Sequence, residues 1–339
     1  MIRACVLGCA GPSLSPDETA FFRDARPWGF ILFGRNVETP DQVRALTDAL
    51  RSAVGRHDAP VMIDQEGGRV QRLGPPHWRR YPPARAFGAL PIAPLARREL
   101  ARLAGRLMAH DLAAVGVDVD CAPVLDVPVP GSHGIIGDRA YGDRPETAGF
   151  LARAMAEGLI AGGVLPVIKH IPGHGRAGAD SHERLPVVEA SVAQLEASDL
   201  IPFRMLADMP MAMTAHVLYA AVDSRQSATT SREVIQRVIR QSIGFDGLLI
   251  SDDLSMRALR GTLGARARRA LGAGCDVVLH CNGDLAEMRA VVDGTRALVG
   301  RPADRARAAL ARRLRVVEPL DLADARSRFD SVFSTLAPA

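Results

Sequence analysis

The sequence predicts an α/β fold: a closed (β/α)8 TIM barrel, a single domain over residues 1–339. Three observations carry this expectation. Eight short apolar runs recur along the chain, most of them followed by a longer amphipathic segment. The runs are apolar throughout instead of alternating with polar residues, as parallel strands covered on both faces must be. Eight such units suit a closed ring better than an open sheet, and 339 residues fit a barrel with insertions.

The runs lie at 4–10, 29–33, 59–65, 117–127, 164–170, 211–217, 247–253 and 275–281. Helix starts and stops separate them. Thr39-Pro40-Asp41-Gln42 offers a capping hydroxyl, a proline at the first helical position and a glutamine at the third, the pattern of a capping box. Ser191 and Gln194 have the same spacing, and Gly55 and Gly244 stand where helix ends favour positive φ. From about residue 300 the chain reads as a terminal helix followed by a polar tail. No linker or low-complexity stretch interrupts the pattern.

A hydrophobic content of 47% with 24% charged residues is that of a soluble protein with a large core. The net charge of +4 is mild, and the arginines are spread along amphipathic segments. Aromatics are only 4% and no helix-turn-helix or zinc-finger spacing is present, so no nucleic-acid partner is expected. No apolar run approaches the roughly 18 residues of a membrane span, and no leader pattern precedes the first strand. The five cysteines, odd in number and without a CxxC pair, read as reduced, buried thiols. The expectation is a cytoplasmic protein, a monomer with no membrane partner.

Ionisable residues gather where the apolar runs end. The third run is followed by Asp64-Gln65-Glu66, the fifth ends in Lys169-His170, the sixth in His216 and the seventh in Asp252-Asp253; Arg35-Asn36 follow the second, and His280 and Asn282 mark the eighth. In a barrel these ends share one mouth, where the chemistry sits. Lys169 is the only lysine among 42 basic residues. A solvated face accepts arginine equally well, so its survival points to a site that needs a compact, three-donor ammonium, for instance toward sugar hydroxyls.

After Lys169 comes "HIPGHGRAGADSHERLP", whose three glycines and Pro172 predict an irregular, mobile lid carrying His174, Asp180 and His182. Asp180 can hold one imidazole nitrogen of His182 and leave the other for proton transfer. Of the adjacent Asp252 and Asp253, strand alternation lets only one face the barrel axis, as a nucleophile would. A metal held by aspartates and histidines is the alternative. No HxH pair supports it, and Pro172 and Gly173 forbid the helix that would bring His170 and His174 together. No metal and no cofactor is expected.

Four stretches, "IDQEGGRVQRL", "GDRAYGDRPE", "VIKHIPGHG…ADSH" and "ISDDLSM", together resemble glycoside hydrolase family 3, over residues from about 5 to about 300. The similarity is greatest to its single-domain bacterial branch, the cytoplasmic β-N-acetylglucosaminidases (β-hexosaminidases) of peptidoglycan recycling. The resemblance implies that Asp252 is the nucleophile, and that His182, oriented by Asp180, is the general acid/base. It places Asp64, Arg72, Arg139, Lys169 and His170 at the sugar. The implied reaction removes terminal β-linked N-acetylglucosamine with retention, through a covalent glycosyl-aspartate, from cell-wall fragments such as anhydro-muropeptides. Ile171 stands where the family often has an aromatic, and His280 has no implied role. Two rival readings are a phosphorylase of the same family, because a neutral histidine repels phosphate less than a carboxylate does, and an inactive sugar-binding barrel.

Overall fold

The structure, a computed structural model, describes residues 1–314 and 316–333. Eight parallel strands close the barrel: β1 (Arg3–Leu7), β2 (Pro27–Leu32), β3 (Val61–Ile63), β4 (Val119–Asp120), β5 (Leu165–Ile171), β6 (Met211–Thr214), β7 (Leu248–Asp253) and β8 (Val277–His280). Each pairs with its sequence neighbours, and β8 returns to β1. Every expected run overlaps one of these strands, with β1 and β2 starting earlier and β5 ending one residue later than expected.

The fourth run is much shorter as a strand than its 117–127 apolar stretch suggests. Pro123 lacks an N–H and interrupts the ladder, as proline does in an inner strand. The chain nevertheless stays beside β5: Lys169 N–H donates to the Pro123 carbonyl at 3.1 Å and Leu125 N–H to the Lys169 carbonyl at 2.7 Å. This irregular stretch leads directly to Asp126.

Helices cover the outside of the ring. Thr39 caps the helix Pro40–Val54 by accepting from Gln42 N–H at 3.2 Å, but the Gln42 side chain accepts from Glu38 N–H instead of closing the expected box. The box at Ser191 and Gln194 is complete. Gly55 and Gly244 take positive φ, at 62° and 81°.

Strand alternation separates two cores. Val6, Ile31, Met62, Val119, Val167, Met213, Ile250 and Leu279 point inward and fill the barrel, while the alternate residues pack under the helices. The helix Arg301–Ala311 closes the floor, setting Ala306 and Ala309 into the interior cluster. The expected polar tail carries a second helix, Leu322–Phe333. Its Phe329 is buried, 6.1 Å from the Tyr81 ring and 6.3 Å from the Phe87 ring. Arg315 and residues 334–339 of that tail lie outside the described residues. Among the described residues no helix is long and apolar enough to cross a membrane.

Candidate active site

The inward rows of the strands run out of apolar residues at the mouth and continue as ionisable ones. Two residues beyond Met62 comes Asp64, two beyond Val167 comes Lys169, and two beyond Ile250 comes Asp252. The same parity that fills the barrel therefore delivers a carboxylate, an ammonium and a second carboxylate to one cavity. Asp64, Arg72, Arg139, Lys169, His170, His182 and Asp252 all line that cavity, and the sequence had singled out each of them.

Lys169 answers to two acids. Its ammonium lies 2.8 Å from Asp64 Oδ1 and 2.6 Å from Glu66 Oε1, with a side chain only 2% exposed. Arg139 clamps Glu66 bidentately, both contacts at 2.8 Å, and Arg72 reaches Asp64 Oδ2 at 3.2 Å. Burial pushes the Asp64 and Glu66 carboxyls up, but the cations more than offset it and hold both below the usual carboxylate range. Burial pulls Lys169 down while the two carboxylates raise it further, so it is charged. A point ammonium can bridge two separate carboxylates and keep a third N–H for the cavity. The hairpin carrying Glu66 turns at Gly67, where φ is 93° and a Cβ would stand 2.4 Å from the Pro82 carbonyl oxygen.

Another buried carboxylate organises the histidines. Asp126 Oδ2 accepts from His170 Nδ1 at 2.6 Å, and its Oδ1 accepts the His174 backbone N–H at 2.6 Å. The Lys169–His170 peptide, like that before Pro172, is cis. Burial pushes Asp126 up, yet His170 and His174 hold it below its ordinary value. Burial lowers His174 to about 4, so its ring is neutral; Nε2 faces Ser181 Oγ at 3.3 Å.

The loop after β5 is less open than its glycines suggest. Residues 171–175 are buried, and at Gly175 a Cβ would fall 2.0 Å from the Val127 carbonyl oxygen. Gly178 and the stretch from His182 to Arg184 are exposed. There Asp180 Oδ1 accepts from both the backbone N–H and Nδ1 of His182, at 2.8 and 2.7 Å. Because a carboxylate only accepts, Nδ1 carries a proton and Nε2 is left to gain or lose one. The His182 side chain is 60% exposed.

Asp252 is held from behind by its neighbour's backbone: Asp253 N–H donates to Asp252 Oδ1 at 2.8 Å. The Asp253 carbonyl in turn accepts from His216 Nε2 at 2.9 Å. Burial pushes the Asp252 carboxyl up, and His216, His170, that N–H and Lys169 outweigh it, so it sits below the usual range as an anion. Asp253 accepts from Ser255 N–H at 3.0 Å and Cys281 N–H at 3.2 Å. His280, without exposed surface, lies between Asp253 (3.7 Å) and Glu287 (3.4 Å).

Sequence reasoning did not assign Glu66, Asp126 or Ser181. Glu66 stood beside Asp64 in the quoted motif, and Asp126 is a lone carboxylate at the end of an apolar run, which was the available signal. No group of three or more metal-type ligands occurs among the described residues. All five cysteines are free, and Cys281 alone is incompletely buried.

A cavity with a buried anionic carboxylate, a carboxylate-oriented histidine on its rim and a ring of charged donors is suited to breaking a bond at a polyhydroxylated carbon. Comparison with known proteins agrees. Residues 17–315 match the glycosyl hydrolase family 3 N terminal domain. A beta-hexosaminidase of Alkalilimnicola ehrlichii is 43% identical over 281 residues, covering 82% of this chain and 80% of that protein. NagZ from Neisseria gonorrhoeae, solved in complex with N-trifluoroacetyl-D-glucosamine, superposes with a TM-score of 0.83 at 31% identity, covering 99% of this chain and 98% of that one. A family 3 beta-N-acetylglucosaminidase from Paenibacillus gives a TM-score of 0.86 at 30% identity, covering 97% of this chain and 66% of its own length. The chain belongs to glycosyl hydrolase family 3 and is a glycoside hydrolase of its β-hexosaminidase kind.

Proposed function

We propose that the protein is a retaining β-N-acetylhexosaminidase that removes terminal β-linked N-acetylglucosamine from cytoplasmic peptidoglycan fragments. The observation that carries this reading is the Asp180–His182 pair, which leaves Nε2 of a histidine on the rim of the cavity that Asp252 lines. Asp252 attacks the anomeric carbon as His182, doubly protonated, donates from Nε2 to the leaving oxygen. A glycosyl ester with Asp252 results. Neutral His182 then takes a proton from the water that attacks the anomeric carbon of that ester, the bond to Asp252 breaks to give back its carboxylate, and the sugar leaves with its original configuration. Retaining enzymes usually use two carboxylates about 5–5.5 Å apart; here a histidine takes the part of the second. Asp64, Lys169 and Arg139 meet sugar hydroxyls. The relative solved with N-trifluoroacetyl-D-glucosamine supports a 2-acetamido sugar in the cavity.

The test is hydrolysis of 4-nitrophenyl β-N-acetylglucosaminide, with the β-glucoside alongside. Wild type should turn over the acetamido substrate, Asp252→Ala should abolish turnover, and His182→Ala should keep more activity on good leaving groups than on poor ones. NMR of the first-formed sugar should show the β anomer. An α product, or Asp252→Ala at wild-type rate, would overturn the assignment.

A further inference from the structure

A second pocket lies between the loops that follow β6 and β7. Arg225, Arg260 and Arg269 line it, with Ser224, Gln226 and Thr230 between them. Leu185 and Ala258 complete its lining, and Ala258 ties it to the active-site rim: its N–H donates to the Ser181 carbonyl at 3.2 Å, and Ser181 and Met256 line the main cavity.

The charge in this pocket is unbalanced. No carboxylate lines it. Asp223, the nearest acid in sequence, is committed to its own turn: Oδ1 accepts from the N–H groups of Arg225 and Gln226 and Oδ2 from the Ser231 hydroxyl at 2.7 Å. Residues 254–275 contain five arginines and no acid. Other surface arginines are neutralised by acids, Arg305 by Asp276 and Arg301 by Asp246. Among the described residues Arg225, Arg260 and Arg269 form no ion pair; Arg225 acts only at longer range on Asp223, and Arg269 donates to the Arg260 carbonyl. Like charges gathered in a concavity repel one another and raise the local potential, and a carboxylate relieves both, most strongly through a guanidinium fork.

We propose that this pocket is an anion subsite for the leaving group, taking carboxylates on the aglycone while the sugar occupies the main cavity. The assignment rests on the glycosidase reading and adds to it a substrate class: β-N-acetylglucosaminides whose aglycone carries acidic groups on a short spacer. Neither Arg225 nor Arg260 belongs to the machinery around Asp252.

The experiment compares two glycopeptides, N-acetylglucosamine β-linked to the serine of Ser-Gly-Glu-Glu or of Ser-Gly-Gln-Gln amide. Wild type should favour the acidic peptide roughly tenfold in kcat/KM, mostly through KM, and added salt should erode the preference because the charges are near solvent. In the Arg225→Gln/Arg260→Gln double variant the preference should fall below about twofold, while 4-nitrophenyl β-N-acetylglucosaminide is hydrolysed at the wild-type rate. Equal rates on the two peptides, or a preference that survives in the double variant, would overturn the subsite. Inorganic phosphate is the second probe. If it alters the 4-nitrophenyl rate in wild type and not in the double variant, the pocket serves a free anion and the leaving-group assignment falls. Calorimetric binding of the same pair to Asp252→Ala reads the pocket without turnover, and equal affinities there refute it. Failure of the 4-nitrophenyl substrate itself would strike the glycosidase reading alone.

Discussion

Asp126 holds Nδ1 of His170 at 2.6 Å from a carboxylate with no exposed surface. The same carboxylate takes the His174 N–H at its other oxygen, so it fixes both the ring of His170 and the start of the loop that carries His182. Asp126→Ala should lower kcat/KM by roughly 10- to 100-fold with Asp252 intact, since a misplacement of about 1 Å is enough for such a loss. Asp126→Asn should recover part of it. Steady-state kinetics of the two variants checks this, and equal values for both would contradict a positioning role.

Asp180 should act through His182. Asp180→Ala removes the acceptor that keeps the proton on Nδ1, so the expected loss is in kcat, again about 10²-fold, with KM little changed. Asp252 contributes the acid limb, which should lie below the ordinary aspartate value because His216, His170 and Lys169 more than offset the burial of its carboxyl. A profile whose acid limb lies well above that value would show that another group controls it.

Lys169→Arg keeps the charge but replaces a point donor that touches two carboxylates with a planar fork. Activity should fall by roughly 10²-fold with a folded circular dichroism spectrum. Lys169→Met leaves two buried carboxylates without their shared cation and should cost about 3–5 kcal/mol in stability, read by denaturant unfolding. Full activity in Lys169→Arg would remove the reason for the chain's single lysine.

Asp120 gives a stability prediction of opposite sign to its neighbours. Burial pushes its carboxyl well above the ordinary value, and Oδ2 has no partner while Oδ1 accepts Gln65 N–H at 3.0 Å. A raised folded-state value means that the unfolded chain ionises first, so stability declines as pH rises above about 4. Asp120→Asn escapes that decline: its advantage in stability should be near zero at pH 4 and grow toward pH 7, by at most about 1.4 kcal/mol per pH unit. Asp64, Glu66 and Asp126, held low, contribute stability that is present above about pH 4 and lost as pH falls through their folded values. Thermal scans across this range separate the two.

A chelator should leave the 4-nitrophenyl rate unchanged, because every step proposed here uses only Asp252, His182 and water. A loss restored by added zinc would reopen the mechanism.

The parts of this site legible in the sequence are those governed by local rules. Alternation along β7 allowed one inward carboxylate without saying which; the family resemblance named Asp252, and the inward row through Ile250 brings that residue to the cavity. Lys169 declared itself by composition. Glu66 and Asp126 were harder, because their roles lie in partners 73 and 44 residues away, Arg139 and His170. The loop after β5 read as mobile from its glycines, yet Gly175 is there so that the backbone can pack against Val127. The helix Leu322–Phe333 escaped notice because its buried stripe is narrow, Ala325 and Phe329 among mostly exposed residues, and what holds Phe329 is aromatic rings from the 81–87 region.

The lone buried lysine has a practical consequence. Protein labelled with 15N-lysine contains one side-chain ammonium, and it sits against the carboxylates at the bottom of the sugar cavity. Shielded from exchange by burial, that group offers a single resonance with nothing to overlap it. Its chemical shift should move when a sugar fills the cavity and move again as the nucleophile becomes an ester, reporting each stage of turnover from inside the barrel.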